Sequence, residues 1–119
     1  MSSIDIGKLR AESDRFVKER DWDQFHSVKN LSMALSVEAS ELVEIFQWMK
    51  EEDSNLIAND PKILGKVEDE VADIFIYLLR IAHKTGIDLE KVAYQKIKKN
   101  EEKYPVELAK GNSKKYDQF

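Results

Sequence analysis

Glu70-Val71-Ala72-Asp73-Ile74-Phe75-Ile76-Tyr77-Leu78-Leu79-Arg80-Ile81-Ala82 is the stretch on which the fold turns. From Val71 to Ala82 the apolar side chains, stepped at about 100° per residue, surround nearly the whole of a helix. A helix that is apolar all round must be covered all round. One domain of 119 residues struggles to enclose it alone. The stretch therefore predicts an all-α protein whose long helix is covered in part by a second subunit, most simply by homo-oligomerisation.

The sequence on either side marks where this helix begins and ends. Asp60-Pro61 supplies an N-cap and a proline in the first turn. The pattern stops near Lys84, at Thr85-Gly86, where glycine takes the left-handed cap conformation. Upstream, Asn30 is placed to cap a helix running to about Lys50. A first helix spans about Asp5 to Arg20, with Leu9, Phe16 and Val17 facing inward. Between these two lies Asp21-Trp22-Asp23-Gln24-Phe25-His26-Ser27, unusually rich in rings for a connector. Downstream, Asp88 caps a fourth helix that Pro105 ends after about Lys103, and the remainder to Phe119 reads as irregular. No segment alternates as a strand does. The expected fold class is all-α, four-helix bundle-like, with residues 1–119 forming a single domain completed by homo-oligomerisation.

Composition narrows the function. The chain has no cysteine, which removes disulfides and thiolate metal sites. The N-terminus has no apolar signal core, and no apolar run approaches the roughly 20 residues that span a bilayer; a cytoplasmic protein without membrane partners is expected. The net charge of −4 is unevenly spread: residues 1–90 carry 11 Lys and Arg against 19 Asp and Glu, while residues 91–119 carry 8 against 4. An acidic body argues against nucleic acid as a partner, which needs a basic footprint, and suits metal cations. The basic end could meet phosphates, although on charge alone a solvated terminal helix explains it better.

Two acidic pairs stand out. Glu38-Ala-Ser-Glu41 lies in the second helix and Glu70-Val-Ala-Asp73 in the third, each pair three residues apart and so on one helix face. On the second helix Ala34, Glu38, Glu41, Ile45 and Trp48 fall within a sector of about 80°. On the third, Glu70, Asp73 and Tyr77 sit beside Ile63, Ile74 and Ile81. The four acids thus occupy the edge of apolar stripes, where an unpaired charge is costly and like charges raise one another's pKa. Lys66 and Arg80 are the few cations near these faces and would answer two acids, not four. A divalent metal is the economical answer. An all-oxygen ligand set selects Mg²⁺ or Mn²⁺ over Zn²⁺. Either acidic pair alone would read as a solvated helix face, and Glu44, Glu68 and Asp69 read as ordinary surface acids. Trp48, taken on periodicity, reads as a core residue.

Around these acids lie Trp22-Asp23-Gln24-Phe25-His26, Asn30-Leu31, Glu41-Leu42-Val43-Glu44-Ile45-Phe46-Gln47-Trp48, Asp73-Ile74-Phe75-Ile76-Tyr77-Leu78, Ile87-Asp88-Leu89, Asn100-Glu101-Glu102-Lys103-Tyr104-Pro105 and Ala109-Lys110-Gly111-Asn112-Ser113-Lys114-Lys115-Tyr116. Together they resemble the all-α NTP pyrophosphatases, the MazG-like superfamily, and most nearly its dCTP pyrophosphatase branch. The resemblance covers roughly residues 9–116. It implies hydrolysis of the α–β anhydride of a nucleoside triphosphate to monophosphate and pyrophosphate, a house-cleaning role, and dimers or dimer-of-dimers tetramers. It implies Mg²⁺ on Glu38, Glu41, Glu70 and Asp73, with Glu41 or Glu38 also activating water. It further implies substrate contacts at Trp22, His26, Asn30, Trp48, Tyr77, Lys96, Asn100 and Lys103, with Lys114 and Lys115 as weaker candidates. His26 reads as structural rather than as a metal ligand, and His83 as a partner of its helix's C-terminal dipole.

The sequence also departs from that pattern. Ser27-Val28-Lys29 stands where close relatives often carry a proline and an arginine, Ser13 replaces a histidine found in some, and Glu101 and Glu102 replace arginines. These changes bear on base choice and phosphate affinity, not on the metal site. Hydrolysis of dUTP or phosphoribosyl-ATP on a related fold is a neighbouring alternative. A non-catalytic helical bundle acting as an interaction or regulatory subunit is another. A di-iron bundle is disfavoured because that site draws on Glu-x-x-His pairs.

Overall fold

The structure, a computed structural model, describes residues 3–113 and is helical, with no strand among them. The chain divides into two compact units, Met1–Gly86 and Ile87–Phe119.

In the first unit α1 spans Ile6–Glu19, a 3₁₀ turn covers Asp23–Phe25, and α2 spans Val28–Phe46. A short α3, Glu51–Ser54, and a second 3₁₀ turn, Ile57–Asn59, lead to α4, Pro61–Thr85. The α4 ends follow from its sequence. The Asp60 carboxylate accepts from the N–H groups of Lys62 and Ile63, Pro61 sits at the first helical position, and Gly86 closes the helix at φ 73°. Helix α2 starts three residues before the expected point. Ser27, not Asn30, is its cap, its hydroxyl accepting from the Asn30 N–H at 3.0 Å. The Asn30 side chain donates instead to the Phe25 carbonyl at 3.1 Å, fastening the 3₁₀ turn to the helix.

Helix α2 also stops earlier than expected, at Phe46, and this overturns the reading of Trp48 as core. Leu31 is buried, and Ala34, Glu38, Glu41, Leu42 and Ile45 are half-buried, as the stripe requires. Trp48 is past the helix end, where a 100° step no longer applies, and is 91% exposed.

Helix α4 is the centre of the unit and packs against α2, α1 and the second 3₁₀ turn. Its Leu79 and Ala82 join Val17 of α1 and Leu31 of α2 as the buried apolar residues. Leu9 and Phe16, expected inside, are more than two-fifths exposed. On α4, Val71, Ile76 and Leu78 are exposed as well. None of the described helices is long and apolar enough to cross a membrane.

The second unit holds α5, Leu89–Lys103, capped by Asp88 accepting from the Lys91 N–H at 3.1 Å, and a single helical turn α6, Val106–Ala109, where irregular chain was expected. Lys114, Lys115 and Tyr116 lie outside the described residues.

Candidate active site

Because α2 and α4 pack side by side, their acidic faces meet. One carboxylate oxygen from each of Glu38, Glu41 and Glu70 lies within 4.8 Å of the other two. All three residues are half-buried, and Oε2 of Glu38 and of Glu70 are buried without a hydrogen-bond partner. Among the described residues no Lys, Arg or His forms an ion pair with any of the four predicted acids. Arg80, counted as a possible partner on sequence, is engaged elsewhere.

Such crowding has the expected electrostatic result. The Glu70 carboxyl beside Glu38, then burial, push the Glu38 carboxyl above its usual range, with the charges of Glu70 and Asp73 adding to the effect. Glu41 is pushed up chiefly by Glu38, with a further contribution from Glu44. Two unpartnered buried oxygens within a three-carboxylate cluster fit a hard divalent cation, which would supply the charge that no side chain supplies.

Asp73 is not part of this mutually close set. Glu41 and Glu70 line one cavity, Asp73 another, and Glu38 neither. An open acidic cleft of about 570 Å³ is lined by Glu41, Glu44, Ile45, Ile63, Lys66, Asp69 and Glu70. Glu44 and Asp69, read from sequence as ordinary surface acids, therefore flank the cluster. Asp73 instead lines a more apolar cavity of about 510 Å³, together with Phe16, Trp22, His26, Tyr77 and Arg80 among others.

In this second cavity the loop rings meet α4. Trp22 stands edge-on to Phe16 at 5.7 Å between centroids. The Phe16 ring is also capped by the Arg20 guanidinium at 3.7 Å. Burial, then the neighbouring Arg80 charge, hold the His26 imidazole below its ordinary pKa, and its Nδ1 is buried without a partner. Burial, then Glu38 and Asp73, push the Tyr77 hydroxyl up, so it stays protonated. The rings of Phe16, Trp22, His26, Phe75 and Tyr77 in a wall that also carries Glu12, Arg15, Asp73 and Arg80 suit a flat group with polar edges.

Trp22, His26, Tyr77 and Asp73 are thus brought together. Asn30 and Trp48 line neither cavity. Lys96, Asn100 and Lys103, spaced four and three apart, share one face of α5 in the second unit and are exposed. His83 lies in the last turn of α4, as expected, and its Nε2 is 3.2 Å from Asp14 Oδ1. Sequence reasoning missed the cluster of charges around Arg80 altogether. The signal was a lone arginine inside the apolar run of α4.

The described residues form an all-helical fold with a carboxylate cluster across two helices and a ring-lined cavity beside it, an arrangement that fits phosphate chemistry assisted by a divalent cation. Residues 33–119 match the MazG-like family. The chain is 39% identical over 112 residues to dCTP pyrophosphatase 1 of Rattus norvegicus, covering 94% of this chain and 64% of the rat protein. It is 37% identical over 115 residues to the Homo sapiens protein of the same name, covering 97% and 66%. The chain therefore spans just under two thirds of the length of these relatives. A crystal structure of a pyrophosphatase from Archaeoglobus fulgidus superposes with a TM-score of 0.78 at 34% identity, over 88% of this chain and 96% of that one. The chain belongs to the MazG-like family.

Proposed function

We propose that this chain is a Mg²⁺-dependent nucleoside triphosphate pyrophosphohydrolase, with dCTP or a modified pyrimidine deoxynucleotide as substrate and monophosphate and pyrophosphate as products. The observation that carries the reading is the three-carboxylate cluster without a cationic partner, beside a cavity walled by rings. Pyrophosphatases of this family generally depend on a divalent metal.

Glu38, Glu41 and Glu70 would hold the ion, and Asp73, outside their close set but on the α4 face it shares with Glu70, is proposed as a further ligand. A bound Mg²⁺ supplies charge to the triphosphate oxygens and lowers the pKa of water. Glu38, with one oxygen buried, suits a ligand role. Glu41 faces the open cleft and is assigned the proton of the attacking water. Water adds across the α–β anhydride: its oxygen bonds to phosphorus, the bridging P–O bond breaks, and the proton passes through Glu41 to solvent. Trp22 and His26 bind the base, and the Tyr77 ring packs near the sugar. Lys96, Asn100 and Lys103, exposed on one face of α5, present groups whose chemistry suits phosphate oxygens. Trp48, 91% exposed, is available to stack on a base, and Asn30 acts by holding the loop that carries Trp22 and His26.

The exposed Val71, Ile76 and Leu78 of α4, with Met33, Val37 and Val43 of α2, support assembly as a dimer or dimer-of-dimers tetramer. The role assigned is house-cleaning in the cytoplasm, removing surplus or non-standard nucleotides. A panel of nucleoside triphosphates with Mg²⁺ tests the reaction. Pyrophosphate release that stops with EDTA is expected; orthophosphate release would place cleavage at another bond and refute it.

A further inference from the structure

Arg80 is 1% exposed, and its side chain takes no part in the chemistry above. Burying a guanidinium is expensive, and an apolar residue of similar volume often serves stability as well or better. An apolar residue would not, however, tie together two particular carboxylates on two separate elements. Arg80 Nη1 donates to Asp14 Oδ1 on α1 at 3.1 Å, and Nη2 donates to Asp23 Oδ1 in the 3₁₀ turn at 3.1 Å. Lys84, one turn along α4, brings its Nζ to 2.7 Å from the same Asp23 oxygen. Asp14 is further held by Lys18 at 2.9 Å.

Asp23 lies between the two loop residues that line the cavity, Trp22 and His26. Besides the Asn30 side chain, which donates to the Phe25 carbonyl at 3.1 Å, the loop has few other anchors in the fold. Asp21 turns the chain at a left-handed φ of 55°, the Trp22 N–H donates to the Val17 carbonyl at 3.0 Å, and residues 21–25 are all exposed. Asp23 itself is absent from the cavity wall, whereas Arg80 is part of it.

From this arrangement we propose that Arg80 is a positioning residue of the ring-lined cavity: by clamping Asp23 to α4 it sets the Trp22–His26 loop as the wall a nucleobase meets. The proposal rests on reading that cavity as the base pocket. Arginine is required because its planar fork reaches both acids at once, which a lysine ammonium at the same place does not.

The test uses Arg80→Lys and Asp23→Asn in the full chain. Each should raise KM for the nucleotide about tenfold while kcat and half-saturating Mg²⁺ stay near wild type, the signature of a displaced binding wall. In a Trp48→Phe background, which leaves Trp22 as the only tryptophan, each should increase acrylamide quenching without nucleotide. Asp23→Asn separates positioning from contact, because Asp23 does not face the cavity. Wild-type KM and wild-type quenching in Asp23→Asn would overturn the proposal, as would a fall in kcat at constant KM in both variants. If wild type hydrolyses no nucleotide yet quenching rises in both variants, the base-pocket reading fails and the clamp stands.

Discussion

Around Arg80 each carboxylate has cations against it, whereas around Glu70 the carboxylates crowd one another and Lys66, in the same cleft, forms no ion pair with them. Both clusters are carried by α4, ten residues apart. At Arg80 the charges of Asp14 and Asp23 are answered by Arg80, Lys18 and Lys84, and both acids are held below the usual carboxylate range. For Asp14 the main cause is Lys18, for Asp23 Lys84. At Glu70 no ion pair closes the balance, and Glu38 and Glu41 are pushed the other way. A protein that can build one compensated cluster on a helix has no structural reason to leave the other uncompensated. The second cluster is costly to keep, and the proposed cation would remove that cost.

The largest effect should come from breaking the uncompensated cluster during turnover. Glu41→Gln or Asp73→Asn is expected to lower kcat at least 10²-fold with helix content by circular dichroism unchanged. Stability should respond in opposite directions at the two clusters. Arg80→Ala empties a buried site and unties Asp14 from Asp23, although Lys18 and Lys84 still face those acids, and should lower the midpoint of denaturant unfolding. Glu70→Gln relieves repulsion and should raise the Tm of the metal-free protein; a lower Tm would mean that Glu70 has a cationic partner in solution.

Acid separates the clusters again. Glu38 and Glu41 have folded pKa values above the unfolded 4.5, so the folded state takes up protons first and they favour folding as pH falls toward 4.5. His26 has a folded pKa below the unfolded 6.5, so its contribution is lost as pH falls through that value. Asp14 and Asp23, lowered from 3.8, lose theirs only below it. Metal-free His26→Gln should therefore gain stability between pH 6.5 and 4.5 relative to wild type, as read by urea unfolding; no gain would put His26 in an unburied setting. Smaller again, Trp22→Ala should raise KM several-fold with little change in kcat, and Trp48→Ala should raise it less while leaving Tm within experimental error, as exposed substitutions do. An unchanged KM removes either ring from the substrate.

Much of this comparison could be read from residue spacing. The acidic pairs sat on apolar stripes, and the two stripes do face one another. Asp60, Pro61 and Gly86 bounded α4 as cap chemistry requires. What spacing could not show was where periodicity ends. Trp48 followed the α2 pattern on paper, but the helix stops at Phe46 and the ring goes to solvent. Nor could it assign partners between elements. Arg80 was one turn from Tyr77 and looked available to the acids of its own helix. Asp14 and Asp23, 66 and 57 residues away in sequence, claim it instead. Likewise Glu44 and Asp69 became part of the acidic cleft only through the packing of α2 on α4.

Mn²⁺ binding, followed by electron paramagnetic resonance on wild type and on Glu38→Gln and Glu70→Gln, tests the central claim most directly. Saturable binding by wild type that is lost or weakened at least tenfold in each variant is predicted. Equal binding by all three proteins, or no binding by wild type at millimolar Mn²⁺, would contradict it.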